Sequence, residues 1–133
     1  MQEFTVKTSS RNEFVDITDR VRALVHDSGI EAGICMVYCP HTTAAITINE
    51  NADPDVTEDI IRKLSMLIPP RENYRHIEGN SDAHIKSSLM GNSAQIIIHN
   101  ASLRLGTWQG IYFCEFDGPR TRKVWVSFTK TDR

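Results

Sequence analysis

No apolar run in this chain approaches the roughly 20 residues that a membrane-spanning helix needs, so no such helix is expected. The opening residues, Met1-Gln2-Glu3-Phe4, are polar and acidic, which is not the pattern of a secretory signal. Cysteine is scarce and odd in number. Cys35, Cys39 and Cys114 all lie inside apolar runs, which reads as reduced, buried thiols in a cytoplasmic protein rather than a disulfide framework. Cys35 and Cys39 are spaced C-x3-C, but no second ligand pair follows to complete a zinc site. An excess of one charge is missing too. Lys and Arg total 15 against 17 Asp and Glu, a formal net charge of -2, so no nucleic acid or other polyanion is expected as the main partner. There is no internal repeat, low-complexity tract or linker, and 133 residues suffice to bury a core, so residues 1–133 read as a single domain.

What is present alternates between strand and helix signals. Gln2 to Thr8 and Glu13 to Ile17 read as short strands, and Thr18 or Asp19 as the cap of a helix with Val21, Leu24 and Val25 on one face and Gly29 as its stop. Gly33 to Cys39 is nearly continuous in apolar residues, which predicts a central strand covered on both faces. Ala44 to Asn49 predicts another strand. Asp53 then caps a helix that starts at Pro54 and ends before Pro69-Pro70, with Val56, Ile60, Ile61, Leu64, Leu67 and Ile68 as one apolar stripe. Ser81 or Asp82 opens a shorter helix that runs to Met90, with Gly91 as its stop. Ala94 to His99, a short Leu103 to Leu105 piece, Ile111 to Asp117 and Lys123 to Thr129 complete the strands. Helices do not alternate regularly with strands, so the expected class is α+β, mainly antiparallel sheet packed with two or three helices.

Chemistry-bearing residues gather in three places. The first joins His41, at the end of a buried strand, to Asn49, Glu50, Asp53 and Asp55 beyond the next one. If those two strands are neighbours their far ends lie apart, so uniting these groups needs another strand arrangement or another subunit. Asp53 as a helix cap and Glu50 as a solvated loop residue are the plainer alternatives. The second runs from Tyr74 to Lys86. His76, Glu78, Asp82 and His84 offer imidazole and carboxylate donors suited to zinc or manganese, though not at an established zinc spacing. Gly79-Asn80-Ser81 opens into a helix with free N–H groups, and Lys86 adds a charge suited to phosphate. The bland alternative is a capped surface helix. In the third, Trp108 and Gln109 stand between Gly106 and Gly110, and Glu115 lies within an otherwise apolar strand, where it must be paired or used. Trp108 can stack on a heteroaromatic ring or fill a contact, and Arg120, in a turn, can reach a phosphate or carboxylate with its planar fork.

Five segments in register resemble the YjbQ family: His41-Thr42-Thr43-Ala44-Ala45, Asn49 to Pro54, His76 to Lys86, Leu105 to Ile111 and Glu115 to Arg120. The resemblance covers essentially the whole chain. It implies a small α+β fold assembled as a homotrimer, and a thiamine-phosphate synthase-like activity that joins a hydroxymethylpyrimidine diphosphate to a thiazole phosphate. By motif it points to His41, Glu50, His76, Asn80, Asp82, His84 and Lys86. Ser81 stands where many relatives carry alanine, and His99 where they carry an apolar residue.

On that basis the expected catalytic groups are His41, Glu50, Asp82 and His84, and the expected substrate contacts are Asn49, Asn80, Lys86, Trp108, Gln109 and Arg120. His41, His76 and His84 are the expected ligands of a divalent metal, whether zinc, manganese or magnesium. A metal-dependent hydrolase and a non-catalytic binder of a phosphorylated metabolite are the competing functions. The expected partner is a small phosphorylated substrate, with no nucleic acid and no membrane.

Overall fold

The computed structural model describes residues 1–132. In chain order the elements are β1 (Gln2–Lys7), β2 (Glu13–Asp16), α1 (Thr18–Ser28), β3 (Gly33–Tyr38), β4 (Ala44–Glu50), α2 (Pro54–Leu67), α3 (Ser81–Met90), β5 (Ser93–His99), β6 (Ser102–Leu103), β7 (Gln109–Glu115) and β8 (Thr121–Lys130). They form an α+β fold of two antiparallel sheets, a five-stranded one in the order β1-β8-β3-β5-β6 and a three-stranded one in the order β2-β7-β4. No helix among the described residues is long and apolar enough to cross a membrane.

The layers follow from strand periodicity, which sends alternate side chains to opposite faces. Cys35 and Val37 of β3, Ile96 and Ile98 of β5, and Val124 and Val126 of β8 point inward from the large sheet. They meet Ala44 and Ile46 of β4, Ile111 and Phe113 of β7, and Val21 and Val25 of α1 in the main core. The other face of the small sheet carries Ala45, Tyr112 and Cys114, joined by Phe116 just beyond β7. These pack against Leu64 of α2 and Ala83 of α3 in a second core. The small sheet is thus a middle layer, and β7 is buried on both faces from Gly110 to Glu115.

Three local expectations are corrected. β3 alternates rather than being covered on both sides: Met36 is exposed on the outer face, beside the stacked rings of Tyr38 and Trp125. The two-sided strand is β7, because only the small sheet lies between two layers. The α1 cap is built by the Asp16 carboxylate, which accepts the Thr18 N–H at 2.9 Å, and the residue at the cap position is Ile17. Within α2 only Leu64 is buried, and Leu67, expected in the same stripe, is 64% exposed because the helix touches the small sheet along a narrow line. Its start is as expected, with Asp53 accepting the Asp55 N–H at 2.9 Å and Pro54 in the first turn.

Candidate functional site

β4 decides where the site can be. It pairs with β7 from Ala44 opposite Glu115 to Glu50 opposite Gln109, so the two clusters flanking it lie at opposite ends of the small sheet, about 20 Å apart at about 3.4 Å per residue. His41 belongs to the first end. Asn49, Glu50, Trp108 and Gln109 belong to the second.

At the second end the groups serve the turns they sit in. The Asn49 side chain accepts the Glu50 N–H, the Glu50 carbonyl accepts the Tyr112 hydroxyl, and Gln109 folds back to accept the Gly106 N–H at 2.7 Å. Trp108 is 63% exposed, and its carbonyl accepts the Asn51 N–H.

The first end is braced by buried charge. Glu115, wholly enclosed between the sheets, takes Arg122 Nε at 2.8 Å on one oxygen and the Arg122 terminal nitrogen on the other. Thr8 Oγ1 donates to it as well, and the Phe116 and Asp117 N–H groups complete the set. Burial pushes the carboxyl pKa upward, but the Arg122 and Thr8 hydrogen bonds outweigh it and hold Glu115 below its ordinary value. Arg122 in turn donates to the Thr43 hydroxyl at 2.9 Å, which ties β8 to the loop carrying His41. Sequence reasoning marked Glu115 and missed Arg122. The signal was its parity, since Arg122 shares the inward register of Val124 and Val126.

A second ionic group lies under α3. Asp82 and Lys86, each with 1% of its side chain exposed, stand one helical turn apart at 3.5 Å. Arg11 reaches Asp82 from the surface at 2.9 Å, and Asn12 accepts from the Lys86 ammonium at 3.2 Å. Burial lowers the Lys86 pKa, and Asp82 opposes that shift. The Lys86 ammonium is therefore engaged beneath the helix, while Asp82 is its counter-ion. Asn80, at the α3 N-cap, donates from its side-chain amide to Asp117 at 2.9 Å, and the oxygen of that same amide, Oδ1, is buried without a partner among the described residues. Asp117 also accepts from Arg120 at 3.0 Å.

Above these braces a cleft of about 510 Å³ opens between the β3–β4 loop and α3, lined by His41, Thr42, His84, Ser87, Ser88, Gly91 and Asn92. His41 is fixed by the Lys123 N–H, which donates to its Nε2 at 2.9 Å. An Nε2 that accepts carries no proton, so the ring is neutral with its proton on Nδ1. Burial first, then the Arg122 guanidinium, pushes its pKa below the ordinary 6.5, in keeping with that neutral form. His84 faces it from α3, with Ser87 and Ser88 one turn further on. Three backbone acceptors of this region are already taken. The Gly91 carbonyl accepts from Ile46 at 3.1 Å and the Asn92 carbonyl from Cys39 at 2.7 Å, while Ser87 donates to the Ala44 carbonyl. The lining also carries groups that can donate: His41 Nδ1–H, and the Thr42 and Ser88 hydroxyls and the Asn92 side-chain amide, which can accept as well.

The three histidines expected to share a metal do not form a cluster. His76 and His84 meet edge to face with ring centroids 5.3 Å apart, and His76 is turned to Ser81 and Glu78. The Nε2 of His41 is occupied by Lys123. Among the described residues no group of three or more His, Cys, Asp or Glu side chains converges on a point that would hold a metal ion.

Comparison with known proteins agrees on the lineage of this fold. Residues 2–131 match the model of the family described as UPF0047 protein YjbQ-like. The UPF0047 protein YugU of Bacillus subtilis (strain 168) is 53% identical, over 95% of this chain and 96% of its own length. A UPF0047 protein of Methanocaldococcus jannaschii is 56% identical, over 93% of this chain and 90% of its own. Among solved structures, an uncharacterised YjbQ/UPF0047 protein of Clostridium acetobutylicum superposes with a TM-score of 0.96 at 59% identity, covering 97% of this chain and all of its own. A protein of unknown function from Sulfolobus solfataricus P2 superposes with a TM-score of 0.94 at 35% identity, covering 98% of this chain and 96% of its own. These relatives overturn the expected reaction. They carry an uncharacterised-family designation, and nothing in them indicates thiamine-phosphate synthase activity, so that assignment does not hold.

Proposed function

Because this chain belongs to the UPF0047 YjbQ-like family, whose matched relatives bring no reaction with them, we propose a function from the chemistry of its cleft: acid–base work by His41 and His84 on a small oxygen-rich molecule. The observation that carries this is the hydrogen bond from the Lys123 N–H to His41 Nε2. It selects one neutral tautomer and leaves Nδ1–H as a positioned donor, and orienting an imidazole in this way is what general acid–base catalysis requires. The donors among the lining suit a ligand rich in acceptors, such as a carbonyl, carboxylate or phosphate oxygen. His84, across the cleft, supplies the second proton-transfer group.

Two further features belong to the same proposal. Cys35, Cys39 and Cys114 are free and buried, and burial pushes the Cys35 and Cys39 thiols up to about 11, which supports a reducing, cytoplasmic setting for inert thiols. Exposed Met36 and Ile97 on the outer sheet, with Met66, Leu67 and Leu89 on the helices, support burial against other copies in a homotrimer. Sedimentation at the mass of three chains is the expected result for that assembly.

Titration of the histidine ¹⁵N resonances with inorganic phosphate tests the cleft assignment. His41 and His84 should shift together, and His41→Ala should abolish the His84 response while the protein stays folded. Shifts confined to His26 or His99 would place the anion elsewhere and remove the basis for the proposal.

A further inference from the structure

His84 lines two openings at once. Beside the cleft it shares with His41 lies a recess of about 420 Å³, walled by Tyr74, Arg75, His76, Ser81, His84 and Ile85. The two differ in chemistry. The Tyr74 hydroxyl donates to the Pro69 carbonyl at 2.6 Å, so the polar tip of that ring is engaged. His76 Nδ1 is 3.2 Å from the Ser81 hydroxyl, and its Nε2 is 3.7 Å from the Glu78 carboxylate. The Ser81 hydroxyl also reaches the His76 carbonyl. With these atoms engaged, the recess presents the Tyr74 ring, the two histidine rings and the side chain of Ile85, which is 43% exposed, with Arg75 as its one cationic wall residue. It is a mainly carbon-lined space beside a polar one, with one histidine as the common wall.

We propose that the ligand is bipartite: an oxyanion in the cleft of His41, Thr42 and Ser88, and a flat apolar or aromatic group in the recess of Tyr74, His76 and Ile85. This rests on the cleft assignment above and adds the ligand's second half. The physical basis is complementarity. Aromatic walls favour offset or edge-to-face contact with a planar group, and a wall made mostly of carbon gains by exchanging water for carbon. The His76–His84 pair, inclined at 78°, already shows the edge-to-face geometry that a third ring would extend. Placing the two halves on either side of His84 puts the bond between head and ring next to that imidazole.

Calorimetric binding of methyl phosphate and phenyl phosphate to the intact chain tests this. Phenyl phosphate should bind about tenfold tighter or better, the gain expected from burying one ring face. Ile85→Gln, at a half-open position that tolerates a polar side chain, should bring phenyl phosphate down to the methyl phosphate level. Equal affinity of the two probes for the unaltered protein would overturn the bipartite ligand while leaving the cleft assignment standing. A preference for phenyl phosphate that survives Ile85→Gln would overturn the recess as its cause. Failure of both probes to bind would remove the cleft assignment and this inference together.

Discussion

The two ends of the three-stranded sheet carry similar residues and are built on opposite plans. At the Glu50 end, polar side chains bond to their own turn, and Trp108 stands in solvent. At the His41 end, two ionic groups, Glu115–Arg122 and Asp82–Lys86, are buried beneath the open surface and reach it through Thr43, Arg11 and Asn12. Buried charge costs desolvation and is tolerated only when fully bonded, so its concentration at one end marks where geometry is held fixed. A rigid base under an open cleft is what an acid–base pair of histidines needs.

The sharpest way to break this contrast is to remove one partner of the enclosed pair. Arg122→Met leaves Glu115 buried and unpaired, and chemical denaturation should show a loss of about 3–5 kcal/mol. The double change Glu115→Leu with Arg122→Met should recover much of it, because no charge is then stranded. The pH dependence carries a definite sign. The Glu115 pKa is depressed in the fold, so its stabilising contribution is present above about pH 4.5 and is lost as pH falls through the folded value.

Glycine substitutions sharpen the comparison at the next level. A Cβ on Gly118, at the braced end, would stand 2.3 Å from the Ser10 carbonyl oxygen, which is backbone and cannot swing aside. On Gly110, at the Glu50 end, it would meet the side chain of exposed Asn51, with Nδ2 at 2.4 Å and Cβ at 2.8 Å. Gly118→Ala should therefore cost about 1–3 kcal/mol in denaturant melts, and Gly110→Ala less.

Function should separate from stability at the histidines. His41→Ala and His84→Ala lie on an open wall and should each cost about 1 kcal/mol or less, yet remove the response to phosphate in the NMR titration. The smallest effects belong to the far end. Glu50→Gln and Trp108→Ala should stay within about 0.5 kcal/mol of the parent and leave phosphate binding unchanged. A loss of binding in either would join the two ends functionally and dissolve the contrast.

Much of this was legible in the sequence. The α+β class, the Asp53-Pro54 helix start and the need for Glu115 to be paired all follow from local chemistry. Apolar content alone could not tell which strand is covered on both faces, because that depends on sheet order. Gly33 to Tyr38 looks as buried as Gln109 to Glu115, yet of these two strands β7 is the one between two layers. The α2 stripe failed for a related reason: helical periodicity gives a face its direction but not the width of the surface it meets. The site was half legible. His41 and His84 were found, whereas Ser87, Ser88 and Asn92 carry no signal until α3 is seen beside the β3–β4 loop. Lys86 reads as a phosphate ligand in the sequence because it adds a positive charge near a helix start with free N–H groups, and its burial against Asp82 and Asn12 appears only in three dimensions.

The central claim is that His41 is a neutral imidazole held by the Lys123 N–H, and histidine ¹⁵N spectra recorded from pH 8 to 5 test it most directly. The folded pKa lies below 6.5, so the fold disfavours the protonated ring, and stability falls as pH drops from 6.5 toward the folded value. The expected spectrum shows His41 with its proton on Nδ1, an unprotonated Nε2, and a midpoint below 6.5. A proton on Nε2, or a midpoint at or above 6.5, would contradict the tautomer on which the proposed acid–base role depends.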